Sequence, residues 1–201
     1  MLLPVVCAIC GRAGASPCRP CVAALRRAPP SPPPPGVDAC AALLAYDGPA
    51  RDLVARLKYR NARGSLAWLA GGMAPLVRRW PVDVVTWAPT TPDRRRARGF
   101  DQAELLARRV ASAIGRPCRP LLRRVAGPPQ TGRSGAERWD GPRMVAATGP
   151  ARSPPGVVLV VDDVITTGAS LAAAARALRE AGAGSVLGLA AARTPGPGAC
   201  H

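Results

Sequence analysis

The fold of this chain turns on one stretch, Val157-Val-Leu-Val-Val-Asp162-Asp163-Val-Ile-Thr166-Thr167-Gly168-Ala169-Ser170. It opens with five apolar residues in succession, four of them valine, the pattern of a parallel strand buried on both faces. Asp162 and Asp163 follow at its carboxyl end, the edge on which α/β sheets build their ligand sites. Thr166, Thr167, Gly168, Ala169 and Ser170 then make a small hydroxylated turn at the start of a helix. Unpaired backbone N–H groups and the positive end of the helix dipole suit such a turn to a phosphate, with Gly168 permitting close approach. Carboxylates beside a phosphate repel it unless they address another part of the same ligand. A sugar phosphate resolves the conflict: the aspartates accept from ribose hydroxyls, directly or through Mg2+, while the turn grips the phosphate. A plain Ser/Thr-capped helix would account for the turn, but not for the paired aspartates, which are two of only three acidic residues after Asp140.

Working outward, a helical pattern over residues 171–181 stopped by Gly182, then a strand over 186–192, completes a βαβ unit. Upstream, strands are expected over 41–46 and 82–88 and helices over 49–58, 65–79 and 102–114, the last amphipathic with Leu105, Leu106, Val110 and Ile114 on one face. Short strands are expected over 119–125 and 144–147. This alternation predicts an α/β domain with a largely parallel sheet over residues 37–193, with 194–201 as a loose tail.

Before that domain come Cys7-x-x-Cys10 and Cys18-x-x-Cys21, separated by seven residues that include Gly11 and Gly14. Two CxxC turns can direct four sulfurs at one ion, and a closed four-thiolate site is structural zinc with no open position for a catalytic water. Two disulfides or a redox CxxC are the weaker alternatives. Residues 1–27 thus read as a four-cysteine zinc knuckle. Residues 28–36 hold six prolines in nine positions, a semi-rigid polyproline linker.

The chain has 201 residues with 28 Lys+Arg against 12 Asp+Glu, a formal charge of +16. That excess favours anionic partners, although 27 of the 28 cations are arginine and compositional drift accounts for part of it. Its one histidine is the last residue, His201, which excludes mechanisms built on a positioned imidazole. No run approaches the ~18 apolar residues of a membrane span, and the amino terminus lacks a basic region before its apolar stretch, so a cytoplasmic location is expected.

The 158–170 stretch resembles the signature of the type I phosphoribosyltransferases. The cysteine knuckle, Leu57-Lys58-Tyr59, Arg98-Gly99-Phe100-Asp101-Gln102-Ala103-Glu104-Leu105-Leu106-Ala107, and Gln130-Thr131-Gly132 followed by Glu137-Arg138 narrow the resemblance to the ComF family. It implies a Rossmann-like phosphoribosyltransferase core, binding of phosphoribosyl pyrophosphate with Mg2+, and transfer of the phosphoribosyl group to an unidentified acceptor, in a family linked to DNA uptake and competence. Mapped onto this chain, it implies Asp162 and Asp163 as catalytic residues at the ribose and Thr166, Thr167, Gly168, Ala169 and Ser170 at the 5-phosphate. Arg96, Arg98 and Gly99, with Lys58, the only lysine, would serve the pyrophosphate, and Gln130, Thr131 and Arg133 a closing lid. Asp101 stands where the family usually has Asn, and Arg133 where it has Leu. The second expectation is a non-catalytic protein that binds single-stranded DNA and other competence proteins through the knuckle and a basic face. Residues 94–143 carry 13 arginines against four acids, a net of +9, but few aromatics for base stacking.

Overall fold

The computed structural model describes residues 5–57, 63–125, 142–147 and 156–195. Four strands, β1 (Ala39–Ala45), β2 (Val84–Trp87), β5 (Val157–Ile165) and β6 (Ser185–Arg193), form one sheet in the order β1-β6-β5-β2, with every pairing parallel. Parallel strands bury both faces, which is why β5 carries Val158, Leu159, Val160 and Val161 without any exposed side chain. The strand continues through Asp162 and Asp163 to Ile165, paired with β6 as far as Arg193. The two carboxylates therefore lie within the sheet's carboxyl edge instead of beyond it.

One face is covered by α2 (Gly48–Arg56), α3 (Arg63–Met73) and α5 (Gln102–Ile114), whose Leu53, Leu69, Leu106 and Val110 pack on Leu159, Val161 and Leu189. The other face is covered by α6 (Ala169–Glu180) and the antiparallel pair β3 (Leu122–Arg124) and β4 (Met144–Ala146), which pack on Val158, Val160 and Val186. This alternation of odd and even strand residues between the two layers follows from the two-residue period of a strand. The helix expected over 65–79 is divided: α3 ends at Met73 and a tighter 3-10 turn, Ala74–Val77, follows with Pro75 near its start. Two short helices stand where no helix was expected, α1 (Arg19–Ala23) and α4 (Pro92–Arg98). Among the described residues no helix is long and apolar enough to cross a membrane.

The amino-terminal segment packs on this core. Ala8 is buried in the same cluster as α3, the Ser16 hydroxyl lies 3.0 Å from that of the buried Ser65, and Arg27 bridges antiparallel to Leu44 on the β1 edge. The proline-rich stretch then crosses the sheet's carboxyl edge: Ser31 accepts through its carbonyl from Arg193, and Pro34 lies against Gly168.

Asp38 ties the starts of β1 and β6 together. Its carboxylate accepts from the Ser185 hydroxyl (2.6 Å), the Val186 N–H (2.7 Å) and Arg179 (2.6 Å). The Ser185 hydroxyl and Val186 N–H, with Arg179 adding its charge, hold this carboxyl below its ordinary value of 3.8. The bonds are worth about 1 kcal/mol net at a half-exposed site. Their contribution is present above the unfolded value and is lost as pH falls through the depressed folded one. Asp38→Ala is expected to lower the urea midpoint at pH 7 without changing the slope, and the gap from wild type should narrow below about pH 4.

Candidate functional site

A cleft of about 330 Å³ opens at the carboxyl ends of β2 and β5. Its floor holds Asp162 and Asp163. Each carboxylate accepts from the next backbone amide, Asp162 Oδ1 from Asp163 N–H and Asp163 Oδ1 from Val164 N–H, both at 2.8 Å. Burial, then the charge of Asp163, pushes the Asp162 carboxyl well above the ordinary carboxylate range, with Asp101 adding to the effect. A site that concentrates negative charge in this way is poised for hydroxyl donors or a cation.

On one side the chain leaves β5 through Thr166, Thr167 and Gly168 and enters α6. Gly168 is the N-cap, in the left-handed region at φ 79°, and Thr167 Oγ1 accepts from Ala169 N–H at 3.4 Å. A Cβ on Gly168 would also lie 2.7 Å from Pro34 Cγ, so glycine is required both by φ and by space. Thr166 and Ser170 line the cleft. The backbone amides of a helix start can hold an anion, here competing with the long Ala169 N–H bond to Thr167 Oγ1.

On the other side stand α4 and the start of α5. Thr91 caps α4 by accepting from Arg94 N–H (3.3 Å), Pro92 opens the helix, and Gly99 at φ 77° closes it. The helical phase sorts the arginines. Arg94 and Arg98 line the cleft, whereas Arg96 is exposed and paired with Asp93 and Arg95 reaches Glu104 at 3.6 Å. Arg124, at the end of β3, also lines the cleft, where burial and nearby Arg94 depress its pKa against the pull of Asp162 and Asp101.

Like Arg94 and Arg124, the cleft residues Asp101, Gln102 and Tyr46 escape sequence reasoning as site residues. Asp101 is 3% exposed; Oδ2 accepts from Thr90 N–H (2.8 Å) and Oδ1 from Ala103 N–H (3.0 Å), so it caps α5 and fixes the loop after β2. An Asp directly before an amphipathic helix is a cap signal, which its description as a departure from Asn passes over. Gln102 is likewise 3% exposed and accepts from Arg98 Nη1 at 3.1 Å. Tyr46, just past β1, lines the cleft with Arg51 5.7 Å from its ring centre. Lys58, Gln130, Thr131 and Arg133 lie outside the described residues.

The second site is the cysteine cluster. The sulfurs of Cys7, Cys10, Cys18 and Cys21 all lie within 4.8 Å of one another, and Cys10 and Cys18 are 3.7 Å apart. Tetrahedral zinc with bonds of about 2.3 Å requires sulfurs about 3.8 Å apart, so the residues fit such a metal. Cys7 Sγ accepts from Ile9 N–H (3.5 Å) and Cys18 N–H (3.4 Å). Burial opposes ionisation of Cys7, but the N–H groups of Cys10, Cys18 and Ile9 outweigh it and bring the thiol to about 6. Burial and the other thiols push Cys21 to about 12. Ionising all four thiols at this spacing requires a cation between them.

No family model matches the chain, and no curated protein matches it. Solved structures do. The structure of the allosteric regulatory enzyme of purine biosynthesis aligns at 23% identity and TM-score 0.45, over 68% of this chain and 30% of that one. Glutamine phosphoribosylpyrophosphate amidotransferase from B. subtilis, complexed with ADP and GMP, aligns at 22% and 0.44 over the same shares. A purine phosphoribosyltransferase from Pyrococcus horikoshii Ot3 aligns at 16% and 0.39, over 65% of this chain and 83% of that one. The chain thus spans less than a third of the first two.

Two outcomes follow from the site's electrostatics. A carboxyl whose folded pKa is raised favours the fold below its unfolded value, and that stability is lost as pH rises through the folded one. Asp162→Asn is therefore expected to raise the melting temperature of the ligand-free protein at pH 7 and to flatten its decline with pH. Metal analysis of the purified protein is expected to find one divalent ion per chain, absent from Cys18→Ser/Cys21→Ser. A metal content equal in the two proteins would refute the cluster as its site.

Proposed function

We propose that the cleft binds phosphoribosyl pyrophosphate with Mg2+ and that the protein is a phosphoribosyltransferase of the ComF type. The observation that carries this reading is that one cleft is lined by a carboxylate pair, buried Asp162 and half-buried Asp163, by the start of a helix and by three guanidiniums. A ligand matching all three has a phosphate at one end, hydroxyls in the middle and a larger polyanion at the other. Phosphoribosyl pyrophosphate has that order.

In this reading the 166–170 turn holds the 5-phosphate through backbone N–H groups and hydroxyls, and Asp162 and Asp163 accept from the ribose hydroxyls. Mg2+ bound with the ligand would neutralise pyrophosphate charge, and the two aspartates are the carboxylates available to hold it. Arg94 and Arg98 stabilise the leaving pyrophosphate as its bond to the anomeric carbon breaks, and Arg124 adds charge from β3. Such chemistry is electrostatics and positioning, which a chain without a usable histidine can supply. Arg96, exposed and paired with Asp93, has no place in this set. The four-cysteine cluster is proposed to hold structural zinc that folds residues 5–25 onto α3. The link with DNA uptake comes with the ComF resemblance.

Calorimetry with phosphoribosyl pyrophosphate and Mg2+ tests the reading. Wild type should bind, and Asp163→Ala should lose about tenfold or more in affinity, as expected for hydrogen bonds made to a charged group. Absence of binding to wild type would sink the assignment.

A further inference from the structure

We infer that Gln102 is a ligand-binding residue of this cleft, its side-chain Nε2 donating to an oxygen of the pyrophosphate group across the sheet edge from the 166–170 turn. The inference rests on the phosphoribosyl-pyrophosphate reading above.

Gln102 is the first residue of α5 and is 3% exposed, yet its buried Nε2 has no hydrogen-bond partner among the described residues. Which end of the amide is which follows from its neighbour: Arg98 has only donors, so the atom 3.1 Å from Arg98 Nη1 must be Oε1. The remaining N–H2 is thereby oriented and left over. Asp101 next to it does not use it: the hydrogen bonds its two oxygens accept come from the backbone amides of Thr90 and Ala103. An orphan buried donor costs about 1–3 kcal/mol, and a methionine would fill a buried helix position at less expense. A donor kept unsatisfied beside a cleft is explained by an acceptor that arrives with the ligand.

The acceptor's chemistry follows from its surroundings. Gln102 lines the cleft together with Arg94, Arg98 and Arg124, so an oxygen reaching this wall is anionic. Its place on the ligand follows from the layers. α5 packs on the sheet face of Leu159 and Val161, while α6, which the turn opens, packs on the face of Val158 and Val160. Gln102 and the turn thus flank the ends of β2 and β5 from opposite faces, with Asp162 and Asp163 between them. A ribose phosphate held by the turn and the aspartates extends its pyrophosphate toward Gln102. A neutral, directional donor braced by Arg98 selects oxygen geometry, where arginines alone supply charge.

The test is calorimetry of wild type and Gln102→Met, with Mg2+, against phosphoribosyl pyrophosphate, inorganic pyrophosphate and ribose 5-phosphate, together with melting of the ligand-free proteins. Gln102→Met should bind ribose 5-phosphate as wild type does and lose about tenfold or more for both pyrophosphate-bearing probes. Its ligand-free melting temperature should be equal to or above that of wild type, because an unsatisfied donor has been removed. Equal losses for all three probes with a lowered melting temperature would mark Gln102 as structural and overturn the inference. So would unchanged binding of all three, and in both cases the cleft's reading stands. A wild type that binds none of the probes overturns both.

Discussion

The constraint on which the rest depends is the burial of the Asp162 carboxyl at the end of a strand paired on both sides. β5 lies between β6 and β2 as far as Val161 and beyond it stays paired with β6, which holds Asp162 at 9% exposure. Asp163 beside it and Asp101 nearby make ionisation harder still. A fold optimised for stability alone would place an apolar or uncharged side chain there. The carboxyl stays there at that cost, with Arg94, Arg98 and Arg124 lining the same cleft and Asp101 pinning the loop after β2. Local destabilisation of this kind concentrates where a ligand supplies the missing partners.

The amino-terminal segment is coupled to that cleft by packing. Residues around Ser16 meet Ser65 on α3, the chain runs along the β1 edge at Arg27, and the proline stretch reaches Gly168, the cap of α6. Proline has no N–H to satisfy, so such a strap can cross a sheet edge without burying an unpaired donor. A cysteine cluster that orders its first residues also orders the start of this strap.

The βαβ unit at the end of the chain was legible because its valine run and its alanine-rich helix have unmistakable periods, and the single parallel sheet followed from them. The extension of β5 through Asp162 to Ile165 was not, since aspartate is a poor strand former and only pairing with β6 keeps it extended. α4 was hidden for a related reason: consecutive arginines carry no apolar period, and the Thr91-Pro92 cap and Gly99 were its local signs. Without that helix its phase was unavailable, so Arg96 was favoured over Arg94, which the structure brings into the cleft. Gln102 lay inside a recognised motif, but an orphan amide is a property of three-dimensional packing that no spacing encodes. The four cysteines, by contrast, announced their cluster through spacing alone.

The central claim, that one ribose phosphate spans the cleft from the α6 start to the α5 start, is tested most directly by a crystal structure of the protein soaked with phosphoribosyl pyrophosphate and Mg2+. The account predicts the 5-phosphate on the amides of residues 166–170, the ribose hydroxyls on Asp162 and Asp163, and the pyrophosphate among Arg94, Arg98 and Gln102. A ligand bound elsewhere, or seated with its pyrophosphate on the 166–170 turn, would contradict it.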